Sequence, residues 1–371
     1  MANREGLANW LALRRAGLGS TNFSLLLTHF GSVEAAWEAS PEAVSRAGLE
    51  AQYVRAFQKA RTAFDPAHEL AWLEKLEVRA FTWLDEDYPS LLRDVPQSPP
   101  VLFMRGTAGP QFERAVAVVG TRRVTPYGRQ ATEHFCEALA AAGVAIVSGL
   151  ARGVDAIAHR VAVERGVPTV AVLAGGIDQV YPRENAGLAD RIRLNGCLVS
   201  EYPAGIPARP DYFPRRNRIL SGLAQATLIV EAGEGSGALH TANWAFEQGR
   251  DVFAIPGSIF SKQSSATNQL IRENTARLVA TPEQLCEELN LVSAGGQLPL
   301  TKAARPLPAA PLHLSGDEGR VVHLLQEGPL HVDEIARSSG MPIAQVSATL
   351  QILELKGAVR QERPQVYAVA G

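Results

Sequence analysis

Residues 115–128 read AVAVVGTRRVTPYG: five apolar residues in a row, a glycine, two arginines, and a Thr-Pro pair that opens a helix. A strand that is apolar on both faces must be covered on both, which is the habit of parallel strands flanked by helices. The same grammar returns at VAIVS (144–148), PTVAVL (168–173), CLVS (197–200), ATLIVEA (226–232) and DVFAIP (251–256), with helical stretches between the runs. Runs alternating in this way join through right-handed crossovers. The sequence therefore specifies an α/β domain built on a doubly wound, mostly parallel sheet.

Upstream, from Asn3 to about Leu76, apolar residues recur at helical spacing: Leu7, Trp10, Leu11 and Leu13, then Leu25, Leu26 and Phe30. Turns end at Gly17, Gly31 and Gly48. The first, Ala16–Thr21, has the shape of a helix-hairpin-helix (SAM-like) turn, whose second helix can offer N–H groups to a DNA phosphate. Its counterpart Gly48-Leu49-Glu50 puts a carboxylate at that place, which favours a packing role. A proline-punctuated segment ending in Leu102–Gly106 reads as the lead-in to the α/β domain. Residues 293–312 carry four prolines, two glycines and no periodicity, as linkers do. Beyond them, helical patterns near 317–327, 331–339 and 342–356 precede a ribbon turned at Pro364, the order of a winged helix. The expected division is an N-terminal helical module over 1–84, the α/β domain over 85–291, a linker over 292–314 and a winged helix over 315–371.

The 371 residues suit two or three domains at about 100–200 residues each. A hydrophobic share of 46% against 20% charged excludes a disordered chain. With a net charge of −2, an anionic partner must be met by a local cluster of cations. Cys136, Cys197 and Cys286 stand far apart without ligand-spaced histidines, which argues against zinc and against a disulfide framework and fits a reducing cytoplasm. The N-terminus lacks a signal-peptide pattern, and no stretch approaches about 18 uncharged apolar residues, so a soluble protein without membrane association is expected.

Ligands of parallel sheets sit at the carboxyl ends of the strands, so the loops there carry the chemistry. After the first strand, Gly120 permits a tight turn and Arg122 and Arg123 stand beside a helix start, where guanidinium and helix dipole both attract an anion. The second strand hands over to SGLARGVD (148–155), again with glycines and an arginine, Arg152, at a helix start. No G-x-G-x-x-G and no acidic residue closing the second strand supports a dinucleotide, so no such cofactor is expected. Asp155 and His159, four apart, read as a helix-start carboxylate and its neighbour, not a metal pair. Phe213-Pro214-Arg215-Arg216-Asn217-Arg218 concentrates three arginines beside an aromatic at another helix start. Cations that hold a backbone while an aromatic stacks on a base are what a sequence-tolerant single-strand groove needs. The fifth strand ends in a further Gly-rich turn, Gly233–Gly237, with His240 and Thr241 behind it.

Taken together, PPVLFMRG (99–106), VAVVGTRRVTPYG (116–128), SGLARGVDAIAH (148–159), YPREN (181–185), SEYP (200–203), FPRRNRILSGL (213–223), SGALHTA (236–242) and FAIPGSI (253–259) resemble, in order, the DNA processing protein A family, also called Smf. The resemblance implies an extended Rossmann-like domain that binds single-stranded DNA without sequence preference, dimerises through that domain and loads the recombinase RecA in natural transformation. It implies a mediator without catalytic residues, cofactor or metal. By motif, the strand-binding residues would be Gly120, Thr121, Arg122 and Arg123, with Ser148, Gly149 and Arg152 in the second loop. Phe213, Arg215, Arg216, Asn217 and Arg218 would follow in the third. Thr121 stands where the family more often has serine, and Ala174-Gly175-Gly176 where it more often has Gly-x-Gly; neither removes a cation.

Two rivals remain in view. A nucleotide-cleaving enzyme of the lysine-decarboxylase-like group would carry PGGxGTxxE, but three residues past Thr241 stands Trp244 where the glutamate belongs. A winged-helix transcription regulator would need a cationic recognition helix; residues 342–351 offer only Gln, Ser and Thr, and from Ser315 onward seven acids face five bases. The winged helix is therefore expected to contact a protein partner or to add weak duplex affinity.

Overall fold

The structure, a computed structural model, describes residues 4–291 apart from 110, 111 and 113, then 316–325, 330–355, 358–363 and 365–369. The linker expected over 292–314 lies outside the described residues. One compact unit reaches from the N-terminus through the α/β domain, and a second holds the C-terminal residues.

The first unit is organised on nine strands: β1 (Val78–Thr82), β2 (Val101–Gly106), β3 (Ala115–Val119), β4 (Ala145–Ser148), β5 (Thr169–Val172), β6 (Cys197–Ser200), β7 (Ala226–Ile229), β8 (Asp251–Ala254) and β9 (Arg277–Leu278). Their order is β1-β2-β6-β5-β4-β3-β7-β8-β9. From β6 to β9 every pairing is parallel, while β1 and β2 add an antiparallel flank. All six apolar runs of the sequence form strands of this sheet. The segment read as a lead-in is β2 itself, its Val101–Met104 wholly buried and two-faced like the parallel strands. β1 precedes residue 85, so the sheet takes its first strand from the segment that composition groups with the helical module. Its VRAFT is a short edge strand whose Val78 and Ala80 pack on one core cluster and Phe81 on the other, so it shows no apolar/polar alternation over its five residues.

Successive strand residues point to opposite faces. One face, with Ala117, Val147, Val170 and Val199, packs under the helices Tyr212–Gly222 and Ala238–Glu247. The other, with Val116, Val118 and Ile146, packs under Pro126–Ala141 and Val154–Arg165. The N-terminal helices join the sheet's core on its β1–β5 side: Trp10, Leu11 and Phe23 share a cluster with Val101, Phe103 and Leu198. Trp10 and Phe23 stack at 5.1 Å. Gly17, at φ 84°, supplies the left-handed turn after the first helix, Arg4–Arg15.

The second unit has helices Gly316–Leu325, Val332–Ser339 and Ile343–Leu355 and a three-stranded sheet, with Leu330–His331 and Val359–Arg363 flanking Val366–Val369. Val321, Ile335, Val346, Leu350 and Leu353 form its core, and His331 with Glu334 closes a capping box on the second helix. This is the winged helix that the sequence specifies.

Candidate nucleic-acid interface

Strands β4, β5 and β6 lie on one side of β3, and β7 and β8 on the other. The loops after β3 and β7 therefore leave in opposite directions, and the crevice between them is where such sheets bind ligands. A cavity of about 800 Å³ opens there, bounded by loops that follow the carboxyl ends of β3 to β8.

The first wall is the GTRR turn. A Cβ on Gly120 would lie 2.6 Å from Val154 Cγ2 and 2.9 Å from the Glu231 carbonyl, so only glycine lets the chain turn there. The Thr121 N–H donates to that carbonyl at 2.7 Å, and the Thr121 hydroxyl accepts the Arg123 N–H at 3.1 Å. Thr125 caps the following helix by accepting the Gly128 N–H, and it donates its own N–H (3.0 Å) and hydroxyl (2.6 Å) to the buried Glu231 carboxylate. Glu231 thus clamps the turn from both sides and leaves Arg122 and Arg123 exposed. In the sequence Glu231 closes an apolar run and looks like the end of a strand, so no local motif marks it.

The second wall is the start of the helix Tyr212–Gly222. Phe213 is half-buried and ringed by cations: the Arg122 guanidinium lies 5.3 Å from its ring centre and that of Arg216 6.0 Å, with Tyr181 edge-on at 5.7 Å. Arg216 is only 4% exposed. It donates to the carbonyls of Gly149 (2.8 Å) and Val172 and to Asn217 Oδ1 (3.2 Å). A Cβ on Gly149 would fall 2.5 Å from that guanidinium, so the glycine in SGLARG makes room for the arginine. Burial lowers the Arg216 pKa to about 10, with Asp155 resisting, and the side chain stays protonated at neutral pH. Asp155 accepts the N–H groups of Gly149 and Ala151; burial holds its carboxyl above the usual range against the pull of Arg216. Among the described residues, Arg122, Arg123 and Arg216 stand in no ion pair.

The third wall is the Gly233–Gly237 turn with His240 and Thr241, tied to the second where Asn217 Nδ2 donates to the Gly237 carbonyl at 3.2 Å. Gln263 completes the lining without any motif to announce it.

Of the residues the sequence singles out, Gly120, Thr121, Arg122, Arg123, Phe213, Arg216 and Asn217 meet at the cavity, and Gly149 shapes it from beneath Arg216. Ser148 is fully buried and donates its hydroxyl to the Val118 carbonyl, a brace between strands. Arg152 is held by both oxygens of Glu184 at 2.8 and 2.7 Å, which neutralises it. Arg218 is buried against both oxygens of Glu201 at 2.9 Å and donates to the Gln97 carbonyl. Arg215 is exposed but lies outside the cavity lining. His159 Nδ1 pairs with the Thr169 hydroxyl at 2.7 Å while Asp155 serves backbone N–H groups, so the two do not face a common point. No group of potential metal ligands occurs among the described residues, and none of the described helices is long and apolar enough to cross a membrane.

Against known proteins, the family model for DNA recombination-mediator protein A matches residues 79–290, that of the DprA-like N-terminal HHH domain 4–63, and that of the DprA winged helix domain 305–363. Protein Smf of Synechocystis is 34% identical over 98% of each chain, and Protein Smf of Escherichia coli 38% identical over 78% of this chain and 76% of that one. The X-ray structure of DNA processing protein A from Streptococcus pneumoniae superposes with a TM-score of 0.65 at 32% identity, covering 75% of this chain and 96% of its own. A structure of DNA processing protein A from Helicobacter pylori, reported for its single-stranded DNA binding mode, does so at 0.52 and 27% identity over 58% of this chain and 96% of its own. On the match over more than half its length and on a relative that it spans almost end to end, the chain belongs to the DNA recombination-mediator protein A family.

Proposed function

We propose that this chain binds single-stranded DNA without regard to sequence in the cavity between β3 and β7, protects incoming strands and passes them to a RecA-type recombinase during natural transformation. The observation that carries this reading is the half-buried Phe213 ring with the Arg122 and Arg216 guanidiniums over it and Arg123 beside them in the cavity lining, none of the three in an ion pair among the described residues. Cations neutralise phosphates and release their counterions, and an aromatic face stacks on any base. The binding mode reported for the Helicobacter pylori relative, and the mediator role in the family's description, support it. In this reading the site is a receptor, and the commitment of Asp155 to backbone N–H groups supports it.

In this reading the α/β domain (85–291) holds the strand, the helical module (1–84) braces it, and the winged helix (315–371) lies beyond the linker in an otherwise cytoplasmic protein. The chain acts as a homodimer through the α/β domain, supported by uncovered apolar side chains in that domain: Leu278 of the edge strand β9 is 50% exposed, and Ile259 and Phe260 in the loop after β8 are 85% and 92% exposed. The deciding experiment is an electrophoretic shift with labelled oligo(dT), competed by unlabelled single strand, by duplex and by dTMP. Only single strand should compete at equal nucleotide concentration; efficient competition by dTMP, or turnover of it, would replace this reading with the nucleotide-enzyme one. Sedimentation of the full chain tests the dimer.

A further inference from the structure

Resting on the strand-binding reading above, we infer that Arg14, in the N-terminal helical module, is a positioning residue for the pocket, and that the hairpin turn after the first helix is mechanically joined to the helix that carries Phe213 and Arg216.

The link runs through one carboxylate. Glu201 follows β6 and is 6% exposed, yet it serves two guanidiniums. Arg218 takes both of its oxygens at 2.9 Å, and Arg14 reaches Oε2 at 3.4 Å while its Nε donates to the Glu201 carbonyl at 2.9 Å. Burial pushes the Glu201 carboxyl up, and Arg218 and Arg14 more than offset it, holding it below the usual range. A third donation, from Arg14 to the Leu18 carbonyl at 3.0 Å, fixes the turn between the first two helices. Arg14 is itself 8% exposed, so each of these bonds is sheltered from water.

A second column runs beside the first. The Arg14 guanidinium lies over Tyr202 at 5.5 Å, Tyr202 stacks on Tyr212 at 4.1 Å and 15°, and Tyr212 is the residue before Phe213. Arg15 reinforces the attachment, pairing with Glu69 at 2.6 Å and donating to the Ala204 carbonyl at 3.2 Å. Trp72 is close enough to Gly205 that a Cβ there would meet its ring at 2.8 Å. The long loop from Glu201 to Asp211 is thus anchored on the helical module at its beginning, and it ends at the cationic helix of the site. Arg218 and Arg14 do not line the cavity. Their effect on a bound strand would come through placement: with Arg14 gone, Glu201 and Tyr202 lose one anchor each, and Phe213 and Arg216 lose definition relative to the GTRR turn.

The test uses the full chain. Arg14→Met should weaken oligo(dT) binding about five- to tenfold while leaving the slope of log affinity against log salt unchanged, because no phosphate contact is removed. Arg122→Ala should lower that slope, and Phe57→Leu, a packing change among the module's own helices, should leave affinity at the wild-type value. A second measurement needs no variant: in the wild-type chain, saturating oligo(dT) should slow hydrogen exchange in peptides covering 14–20 as well as in those covering 121–123 and 212–217. Wild-type affinity in Arg14→Met, a reduced salt slope in it, or protection confined to the pocket peptides would each overturn the positioning role. If Arg14→Met does not fold, the exchange experiment alone decides. Failure of the wild-type chain to hold oligo(dT) would overturn the strand-binding reading and this inference with it.

Discussion

The two places where this chain could meet DNA are built on opposite principles. The α/β cavity gathers three arginines outside any ion pair among the described residues, two of them over an aromatic ring, in a crevice fixed by the sheet's topology. The helix Ile343–Leu355 of the winged unit has the shape of a recognition helix, yet its sequence holds no Lys or Arg, and it exposes Ile343 and Ile352. Phosphate neutralisation supplies most non-specific affinity, so on the proposed reading the cations that would hold a nucleic acid lie in the first region, and the second offers only shape. A DNA-binding fold is thus a weaker sign of DNA binding than where the charge is placed.

The sharpest way to break that comparison is to empty the cavity of its buried cation. Arg216→Met should cost about 2–4 kcal/mol of oligo(dT) affinity, measured by fluorescence anisotropy, since it removes a sheltered charge. Gly149→Ala should reproduce much of that loss, because its Cβ takes the space of the guanidinium. Phe213→Ala comes next at about 1–3 kcal/mol, equal for oligo(dT) and oligo(dA) if the ring stacks on any base. A base-dependent loss would argue for sequence readout.

Acid probes the same region through stability. Burial lowers His159 to about 3 in the folded chain, against about 6.5 when unfolded, so between these values only the unfolded state takes up the proton. Its share of stability is complete above pH 6.5 and is lost as pH falls, reaching about 2 kcal/mol by pH 5. Thermal melts of wild type should drop over that range more steeply than those of His159→Gln. Arg122→Ala should produce a smaller change, a salt slope reduced by about one. Deleting 315–371 should alter oligo(dT) affinity by less than about twofold, there being little charge on that recognition helix to lose. A larger loss would move the main binding surface to the winged unit.

Most of the fold was legible because buried parallel strands announce themselves as apolar runs, and all six runs became strands. β1 escaped because a five-residue edge strand with apolar residues on both core clusters shows no alternation to register. β9 has only two residues and both are exposed. The cavity was half legible. Glycine and arginine motifs marked the loops, but sequence does not say which arginine faces solvent and which finds a carboxylate. Arg152 and Arg218 look no different from Arg122 and Arg216 until Glu184 and Glu201, 32 residues downstream of the one and 17 upstream of the other, come to meet them. Long-range ion pairing, absent from any local pattern, sorts the structural cations from those left over.

The Arg122 guanidinium resting on Phe213 bears on how the site behaves while vacant. An aromatic ring facing water would invite association with any greasy surface, and here a charged, well-hydrated lid shields it. An arriving nucleobase would then displace one stacking partner in favour of another, and the freed arginine would swing toward the phosphate beside that base. The same side chain would guard the ring before the strand arrives and grip the strand afterwards, which favours rapid exchange along a polynucleotide over permanent capture.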